Sequence, residues 1–313
     1  MRGAIVILAL ALACGGGDDA PIDTDMDGGP VDPPRVDGGP LSFGDPIPEG
    51  GGRFELIGGD WSMGPGGEGY RCVRRTIDRD IYIRELNPID PNGTHHTVVT
   101  YMEDSSIPDE SIPCSVVNHA PKMIFGSGVG TDPFVMPEGV AIRIPAGSQV
   151  MINLHLFNAG REAIAGHSGL EVVTVDPSEV VHEAGSVLAG DEFFTIPAMA
   201  SDYWVNGGCT MDEETTVFAL FPHMHQYGDY QRVYAQTEAG ERLIFEDTYS
   251  FDDQRYRHID PLVLQPGERI RVECRYQNPT SSTVRWGDST LTEMCYAGLL
   301  FYPPLPFGLS CTN

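Results

Sequence analysis

The sequence has few positive charges. Lys and Arg together number 19, against 45 Asp and Glu, which gives a formal net charge of −26 at pH 7. Nucleic acids and anionic membrane surfaces bind proteins through basic patches that release counterions. The charge balance therefore argues against both as partners of the folded chain. Small neutral or cationic molecules remain open as substrates.

Long amphipathic helical segments are also missing. Instead, short alternating runs separated by turn signals begin at about residue 51. Residues 270–276 alternate apolar and polar side chains directly after a Pro-Gly turn, as a half-buried strand does. Residues 150–157 repeat this design after the turn at 144–147, with Val150, Ile152, Leu154 and Leu156 on one face and Met151, Asn153, His155 and Phe157 on the other. The pattern predicts an all-β protein with two tandem antiparallel β-sandwich domains, jelly-roll-like, at 51–177 and 178–313. The periodicity lapses near Asp176, which sets the boundary.

The N-terminus is typical of an export signal. Arg2 precedes an apolar run at 4–13 that is too short to span a bilayer, and small residues lead up to Cys14. The segment resembles a bacterial lipoprotein signal, which predicts a signal peptide at 1–13, lipidation of Cys14 and export to the cell envelope. A plain secretory signal is the alternative. The membrane would then be contacted only through the lipid anchor.

Residues 14–50 predict a flexible tether. Beyond Cys14 they are mostly Gly, Asp and Pro, which bury too little apolar surface to offset the entropy lost on ordering. Residues 23–28 open like a calcium loop, but the twelfth position is Pro34 where such loops need a bidentate Glu. We interpret this stretch as linker.

Six residues are candidate metal ligands. Thioether sulfur binds Cu(I) well and zinc poorly, so histidines combined with methionine favour copper. In a strand, His223 and His225 would project from one face, whereas the neighbours His95 and His96 require a bend, which the turn at 91–93 permits. Three ligands per ion is typical of an open, catalytic site. The six are His95, His96, His155, His223, His225 and Met294.

Seven cysteines leave six once Cys14 is assigned to the lipid. Six can pair into three disulfides in fifteen ways, and spacing alone does not choose among them. An oxidising compartment and an even count favour bridges over copper thiolates, so cysteines are excluded from the ligand set.

Four short motifs carry a family resemblance. His95-His96, Asn153-Leu154-His155, residues 217–225 and Glu293-Met294-Cys295 occur in the order found in copper type II, ascorbate-dependent monooxygenases, over about residues 70–311. That family contains the peptidylglycine hydroxylating and dopamine β-monooxygenases. The resemblance also implies three disulfides, Cys72–Cys114, Cys209–Cys311 and Cys274–Cys295. His167 takes one cysteine position of a further bridge found in relatives, which places it outside the site.

The resemblance implies two copper ions per chain, in separate domains that face a solvent-filled cleft. His95, His96 and His155 would hold the copper that supplies electrons. His223, His225 and Met294 would form the catalytic site, where copper binds O₂ and a C–H bond of a small organic substrate is hydroxylated. Ascorbate would reduce both ions.

The resemblance also identifies residues around the metals. Tyr70 matches a family tyrosine near the first copper, and Asn153 stands where relatives carry Gln beside the matching histidine, so either could orient a ligand. Both also suit ordinary strand positions. The peptidylglycine enzyme binds its substrate carboxylate with Arg, Asn and Tyr where this chain has Phe221, Tyr296 and Gly298. This chain has no guanidinium at these positions to bind a carboxylate, so we predict that glycine-extended peptides are not its substrates. Phe221 and Tyr296 would favour an apolar or aromatic group, or serve only in packing.

Other functions explain the sequence less well. A copper-binding or copper-delivery lipoprotein without catalysis would be supported by Met-rich or His-rich tracts, which the chain lacks. A zinc hydrolase built on the first three histidines has no Glu placed by motif as general base. A serine hydrolase elbow at 166–170 lacks its last Gly. Four histidines are left to structural roles: His119, His167, His182 and His258.

Overall fold

The computed structural model describes residues 43–115, 118–287, 291–306 and 308–312. These residues form 21 β-strands and a single turn of 3-10 helix, Pro177–Glu179, which confirms the all-β prediction. Within these ranges no helix has the length and apolar character needed to cross a membrane. The predicted signal peptide, Cys14 and the calcium-like stretch lie outside the described residues.

The N-terminal half consists of two antiparallel sheets around one core. In strand order these are β1·β10·β3, with β7 and β8 both pairing with β3, and β5·β2·β9·β4·β6. The bounds are β1 Gly52–Met63, β2 Glu68–Thr76, β3 Ile81–Ile89, β4 Thr94–Met102, β5 Ser111–Cys114, β6 Lys122–Gly128, β7 Phe134–Val135, β8 Val140–Ile144, β9 Gln149–Phe157 and β10 Ile164–Thr174.

The C-terminal half has a second core and two principal strand groups, β11·β20·β14·β17 and β13·β18·β15·β16, with β12·β19 as a short separate pair. The bounds are β11 His182–Asp191, β12 Thr195–Ile196, β13 Tyr203–Thr210, β14 Thr215–His223, β15 Gly228–Thr237, β16 Gly240–Thr248, β17 Arg257–Leu264, β18 Arg269–Tyr276, β19 Val284–Arg285, β20 Cys295–Tyr302 and β21 Ser310–Thr312.

Alternation in the sequence explains why these strands form. Strand β18 buries every second residue from Ile270 to Tyr276, so one face joins the core and the other stays accessible. The turn before it contains Gly267 at φ +88°, in the left-handed region that glycine tolerates best. Strand β9 is buried along its length except at Phe157, as a central strand covered on both faces is. Both predicted strands form, but β9 is covered on both faces, whereas the pattern predicted a half-buried strand.

Strand β11 joins the two halves. Its first residues, His182–Ala184, pair in parallel with β8, Ser186 pairs with Met123 of β6, and the rest pairs with β20. Backbone hydrogen bonds of one strand therefore connect the two halves. The boundary predicted at residue 177 falls in the capped 3-10 turn just before this strand.

The folded body includes the last residues of the predicted tether. Phe43 is only 8% exposed and belongs to the N-terminal core. The Arg75 guanidinium donates to the backbone oxygen of Asp45 at 2.5 Å, which ties the segment to β2. In the described ranges the packed structure therefore begins at Phe43.

The three disulfides implied by the resemblance are present. They join Cys72 to Cys114, Cys209 to Cys311 and Cys274 to Cys295. In the chain-entropy model each would stabilise the fold by about 2–4 kcal/mol, most for the long loop that Cys209–Cys311 closes. Three bridges fit an exported protein that folds in an oxidising compartment.

Candidate metal centres

The first histidine cluster forms on two neighbouring strands, β4 and β9, with β2 on the other side of β9. His155 of β9 pairs with Tyr70 of β2 on one side and with His96 of β4 on the other. The β4–β9 register shifts between Thr94 and His96, which leaves His95 outside the ladder. This bulge turns the adjacent histidines toward each other and confirms the predicted bend. Ligand atoms of His95, His96 and His155 all lie within 4.8 Å of one another.

A tight turn prepares the bulge. The Thr94 amide donates to the Pro91 oxygen at 2.9 Å, and Gly93 has φ +105°. A Cβ at Gly93 would lie 2.5 Å from the Trp61 ring, so glycine is required both by conformation and by space. The sequence 91–93 thus sets the direction from which the two histidines enter the cluster.

The Nδ1 atoms converge in this cluster. His96 Nδ1 lies 3.2 Å from His95 Nδ1 and 3.4 Å from His155 Nδ1. On the outer side, His155 Nε2 donates to Glu68 Oε1 at 2.8 Å, which leaves the lone pair on Nδ1. Burial lowers the pKa of all three imidazoles, that of His96 well below its ordinary value. All three are therefore held in the neutral form that a metal ion binds.

Tyr70 and Asn153, the two residues predicted to lie near the first metal ion, are both neighbours of His155. Tyr70 is its register partner on β2, and Asn153 precedes it by two residues on β9. The Tyr70 ring stacks on His155 with centroids 4.5 Å apart and planes at 9°. Asn153 donates from Nδ2 to the Ser115 and Asn118 oxygens, at 2.9 Å each, and so ties the segment after Cys114 to β9. Influence of either on a bound metal stays a prediction.

We expect Glu68→Ala to weaken metal binding at the first cluster. Loss of the carboxylate frees the His155 tautomer, and removing such outer partners commonly lowers metal affinity about 10–100-fold. Titration of copper into the metal-free variant, followed by calorimetry, measures the effect. Glu103→Ala is the matched control, because Glu103 is similarly exposed and pairs with Lys122. Equal affinity in both variants would contradict the assignment.

The second cluster forms where β14 ends. The rings of His223 and His225 are 5.4 Å apart and almost perpendicular, at 87°. His223 Nδ1 donates to Gln254 Oε1 at 2.9 Å, and His225 Nδ1 donates to the Thr292 oxygen at 2.9 Å. Because both partners are oxygen acceptors, each Nδ1 carries the proton and the lone pair is on Nε2. The two clusters therefore present opposite ring nitrogens.

The backbone of Met294 lies close to that of His225. The β14–β20 register pairs His223 with Tyr296, and Met294 directly precedes β20. Glu293 Oε2 accepts from the amides of both His225, at 2.9 Å, and Met294, at 3.3 Å, while Oε1 accepts from Tyr227 at 2.6 Å. One buried carboxylate thus holds the backbones of two candidate ligands together.

Glu293 is fully buried, and this burial raises the pKa of its carboxyl to about 7, although bonds from backbone amides oppose the shift. The sequence motif contained Glu293 but did not reveal its role, because its partners at 225–227 are distant in the chain. The sequence does not predict the role of Gln254 either, because this residue lies in an irregular segment without a motif and its partner His223 is 31 residues away.

The predicted substrate residues are both inside the protein. Phe221 is 4% exposed and stacks on Tyr256 at 4.5 Å. A Cβ at Gly298 would lie 3.1 Å from the Phe221 Cβ, so the missing side chain makes room for the phenylalanine. Tyr296 is 2% exposed, and its hydroxyl donates to Glu192 at 2.8 Å. A role for Phe221 or Tyr296 in substrate binding stays a prediction.

Three of the remaining histidines have structural contacts away from both clusters. His182 stacks on Tyr302 at 4.3 Å, and His258 stacks on Phe134 at 4.6 Å. His167 of β10 bridges Glu55 Oε2 at 2.9 Å and Asp60 Oδ1 at 2.7 Å, both on β1. His167 thus makes an ion-pair contact between β10 and β1.

His167 should make stability depend on pH. Its hydrogen bonds to Glu55 and Asp60 raise its pKa to about 9, whereas an unfolded histidine titrates near 6.5. Its contribution to the unfolding free energy is therefore complete below about pH 6.5 and is lost as the pH rises through about 9. Denaturant unfolding of the wild type and His167→Gln across this range should show a difference that shrinks to zero. A constant difference would contradict the ion pair.

Comparisons with known proteins found a family model and several relatives that are similar to this chain. Residues 181–313 fit the family model described as copper type II ascorbate-dependent monooxygenase, C-terminal domain. Over 221 residues the chain is 29% identical to DBH-like monooxygenase protein 1 of Mus musculus and 28% identical to that of Homo sapiens, covering 63% of this chain. It spans 35% of the length of either relative.

More remote matches add little. Putative DBH-like monooxygenase protein 2 of Homo sapiens is 26% identical over 204 residues, which is 58% of this chain and 40% of that protein. Among solved structures, a Paenibacillus xanthan lyase aligns with 81% of this chain and 24% of its own, at 8% identity and a TM-score of 0.20. Such a low score supports no argument about fold or function.

Proposed function

Because the chain belongs to the copper type II, ascorbate-dependent monooxygenase family, we propose that it hydroxylates a C–H bond of a small organic substrate. The co-substrate would be O₂, and ascorbate or a similar reductant would supply the electrons. The observation that supports the proposal is a pair of histidine groups. In one, the Nδ1 atoms of His95, His96 and His155 converge; in the other, the Nδ1 atoms of His223 and His225 bond protein oxygens, and the Met294 backbone is tied to that of His225 through Glu293. Distinct donor sets suit two ions with different tasks.

The residues fit copper. His95, His96 and His155 would bind one ion through neutral imidazoles, whose protonation is suppressed by burial. His223, His225 and Met294 would bind a second, with a thioether that favours Cu(I). When bound, copper would supply one-electron redox chemistry and the affinity for O₂.

The surrounding groups hold the ligands in place. Glu68 keeps the proton on His155 Nε2, whereas Gln254 and the Thr292 oxygen keep it on Nδ1 of His223 and His225. Fixed tautomers and ring orientations raise metal affinity and specificity. Glu293 controls the approach of Met294 to His225 through their amides. These contacts would fix the tautomers of His155, His223 and His225 and the backbone positions of His225 and Met294 in the metal-free protein.

The substrate is proposed not to be a glycine-extended peptide. Phe221 and Gly298 stand where the peptidylglycine enzyme carries the Arg and Tyr that contact the carboxylate. Phe221 is packed against Tyr256 and Gly298 and offers no charge. A neutral or cationic substrate agrees with the chain's formal net charge of −26. We also propose export with lipid anchoring at Cys14.

The experiment is a screen of oxygen consumption. Copper-loaded protein is mixed with ascorbate and with amines, acylated glycines or small aromatic compounds, and substrate-dependent O₂ uptake is followed. Uptake with a member of one class, and a product heavier by one oxygen atom, would support a monooxygenase. Tight binding of copper with no uptake for any class would favour a copper-binding or copper-delivery lipoprotein.

A further inference from the structure

One aromatic ring contacts both histidine clusters. The Phe251 ring centroid lies 5.0 Å from that of His95, with planes at 49°, and 5.8 Å from that of His225, with planes at 70°. His95 belongs to the first cluster and His225 to the second. A single side chain therefore contacts one residue of each cluster.

The position of Phe251 is fixed by Gln254. The Gln254 side chain donates from Nε2 to the Phe251 oxygen at 3.0 Å, and its Oε1 accepts from His223 Nδ1 at 2.9 Å. Gln254 is 4% exposed, so this amide is shielded from water. One side chain therefore links the backbone that carries the ring to a ligand of the second cluster.

Gln254 also binds the N-terminal half. Its backbone amide donates to the Val129 oxygen at 3.3 Å, and its backbone oxygen accepts from Thr131 Oγ1 at 2.7 Å. Gly128, the register partner of His96, has no side chain, and a Cβ there would lie 3.0 Å from the Gln254 amide group. The Gln254 side chain thus packs on Gly128 of β6, next to His96 of the first cluster.

Tyr256 anchors the other end of this segment. Its hydroxyl donates to the Gly126 oxygen and accepts from the Gly126 amide, at 3.1 Å each. Its ring stacks on Phe125 at 5.0 Å and on Phe221 at 4.5 Å, one from each half. Residues 251–256 follow the β15–β16 hairpin in the chain yet are bound to β6 and to the residues after it.

We propose that residues 251–256 form a bridge that fixes the separation of the two clusters, with Phe251 as the positioning residue whose ring sets that separation. The proposal rests on the proposed function, because electron transfer between two copper sites slows steeply as their distance grows. Removing the ring leaves all six candidate ligands in the chain. What it removes is the contact that holds His95 and His225 at a constant spacing.

Pulsed EPR on protein loaded with Cu(II) at both sites tests the bridge. The wild type should give one narrow copper–copper distance, Phe251→Leu a broader one, and Phe251→Ala should lose the narrow peak at unchanged copper content. Phe193→Ala is the matched control, because that ring is 90% exposed, and it should behave as the wild type. A Phe251→Ala distribution identical to that of the wild type would overturn the proposal.

A second measurement needs no metal. Nitroxide labels at Val135→Cys in the N-terminal half and Leu243→Cys in the C-terminal half, positions 46% and 42% exposed, report the distance between the halves. Adding Phe251→Ala and Gln254→Ala together should broaden this distance in the metal-free protein; an unchanged distribution would overturn the bridge. If the wild type bound fewer than two coppers, the proposed function would fail, while the labels would still decide the bridge.

Discussion

Replacing Met294 with alanine is expected to abolish substrate-dependent O₂ uptake while copper stays bound at the first cluster. In the proposed second site Met294 would supply the thioether, and its loss would remove the donor that favours Cu(I). The histidines of the first cluster lie on β4 and β9, whereas Met294 directly precedes β20. Copper content should therefore fall from two ions per chain toward one.

Copper analysis and the oxygen electrode measure both parts of this result. Met199→Ala is the matched control, since Met199 is 70% exposed and distant in sequence from every candidate ligand. It should retain copper and activity. Full turnover in Met294→Ala would show that the thioether has no part in catalysis and that the second site has been assigned wrongly.

Replacing Glu293 with alanine is expected to disrupt both stability and the second site. The amides of His225, Tyr227 and Met294 all donate to this carboxylate. Each buried donor left without an acceptor costs about 1–3 kcal/mol, so the unfolding free energy should fall by roughly 3 kcal/mol or more. Without the shared acceptor, Met294 and His225 also lose the contact that aligns them.

Glu293→Gln separates the two effects. It keeps the side-chain volume but retains only one acceptor oxygen, so both its stability and its copper affinity at the second site should be intermediate. Denaturant unfolding and copper titration give the two quantities, and Glu213→Ala, an exposed glutamate, serves as control. If Glu293→Ala unfolded at the same denaturant concentration as the wild type, the carboxylate would not hold the two ligand segments together.

The fold could largely be predicted from the sequence because the signals for strands, alternation and turn residues, are local in the chain. Alternation along β18 and the turns before β9 and β18 depend on neighbouring residues only, and both strands form. The dual role of β11 could not be predicted in this way. Its pairing with β8, β6 and β20 is a matter of long-range register, which single-strand patterns do not encode.

In the candidate site, too, local features could be predicted and long-range contacts could not. The bend at His95 and His96 followed from two adjacent ligands on a strand, and the bulge is there. The roles of Glu68, Gln254, Phe251 and Glu293 did not follow, because each acts on a histidine far away in the chain and has no motif that names its partner. Residue types identify metal ligands, whereas the groups that orient them become visible only in three dimensions.

Anomalous scattering at the copper edge, from crystals of protein supplied with both copper and zinc, tests the central claim most directly. The account predicts two copper peaks per chain: one bound by Nδ1 of His95, His96 and His155, the other by Nε2 of His223 and His225 and the sulfur of Met294. A single peak, zinc at either position, or a second peak without Met294 among its ligands would contradict it.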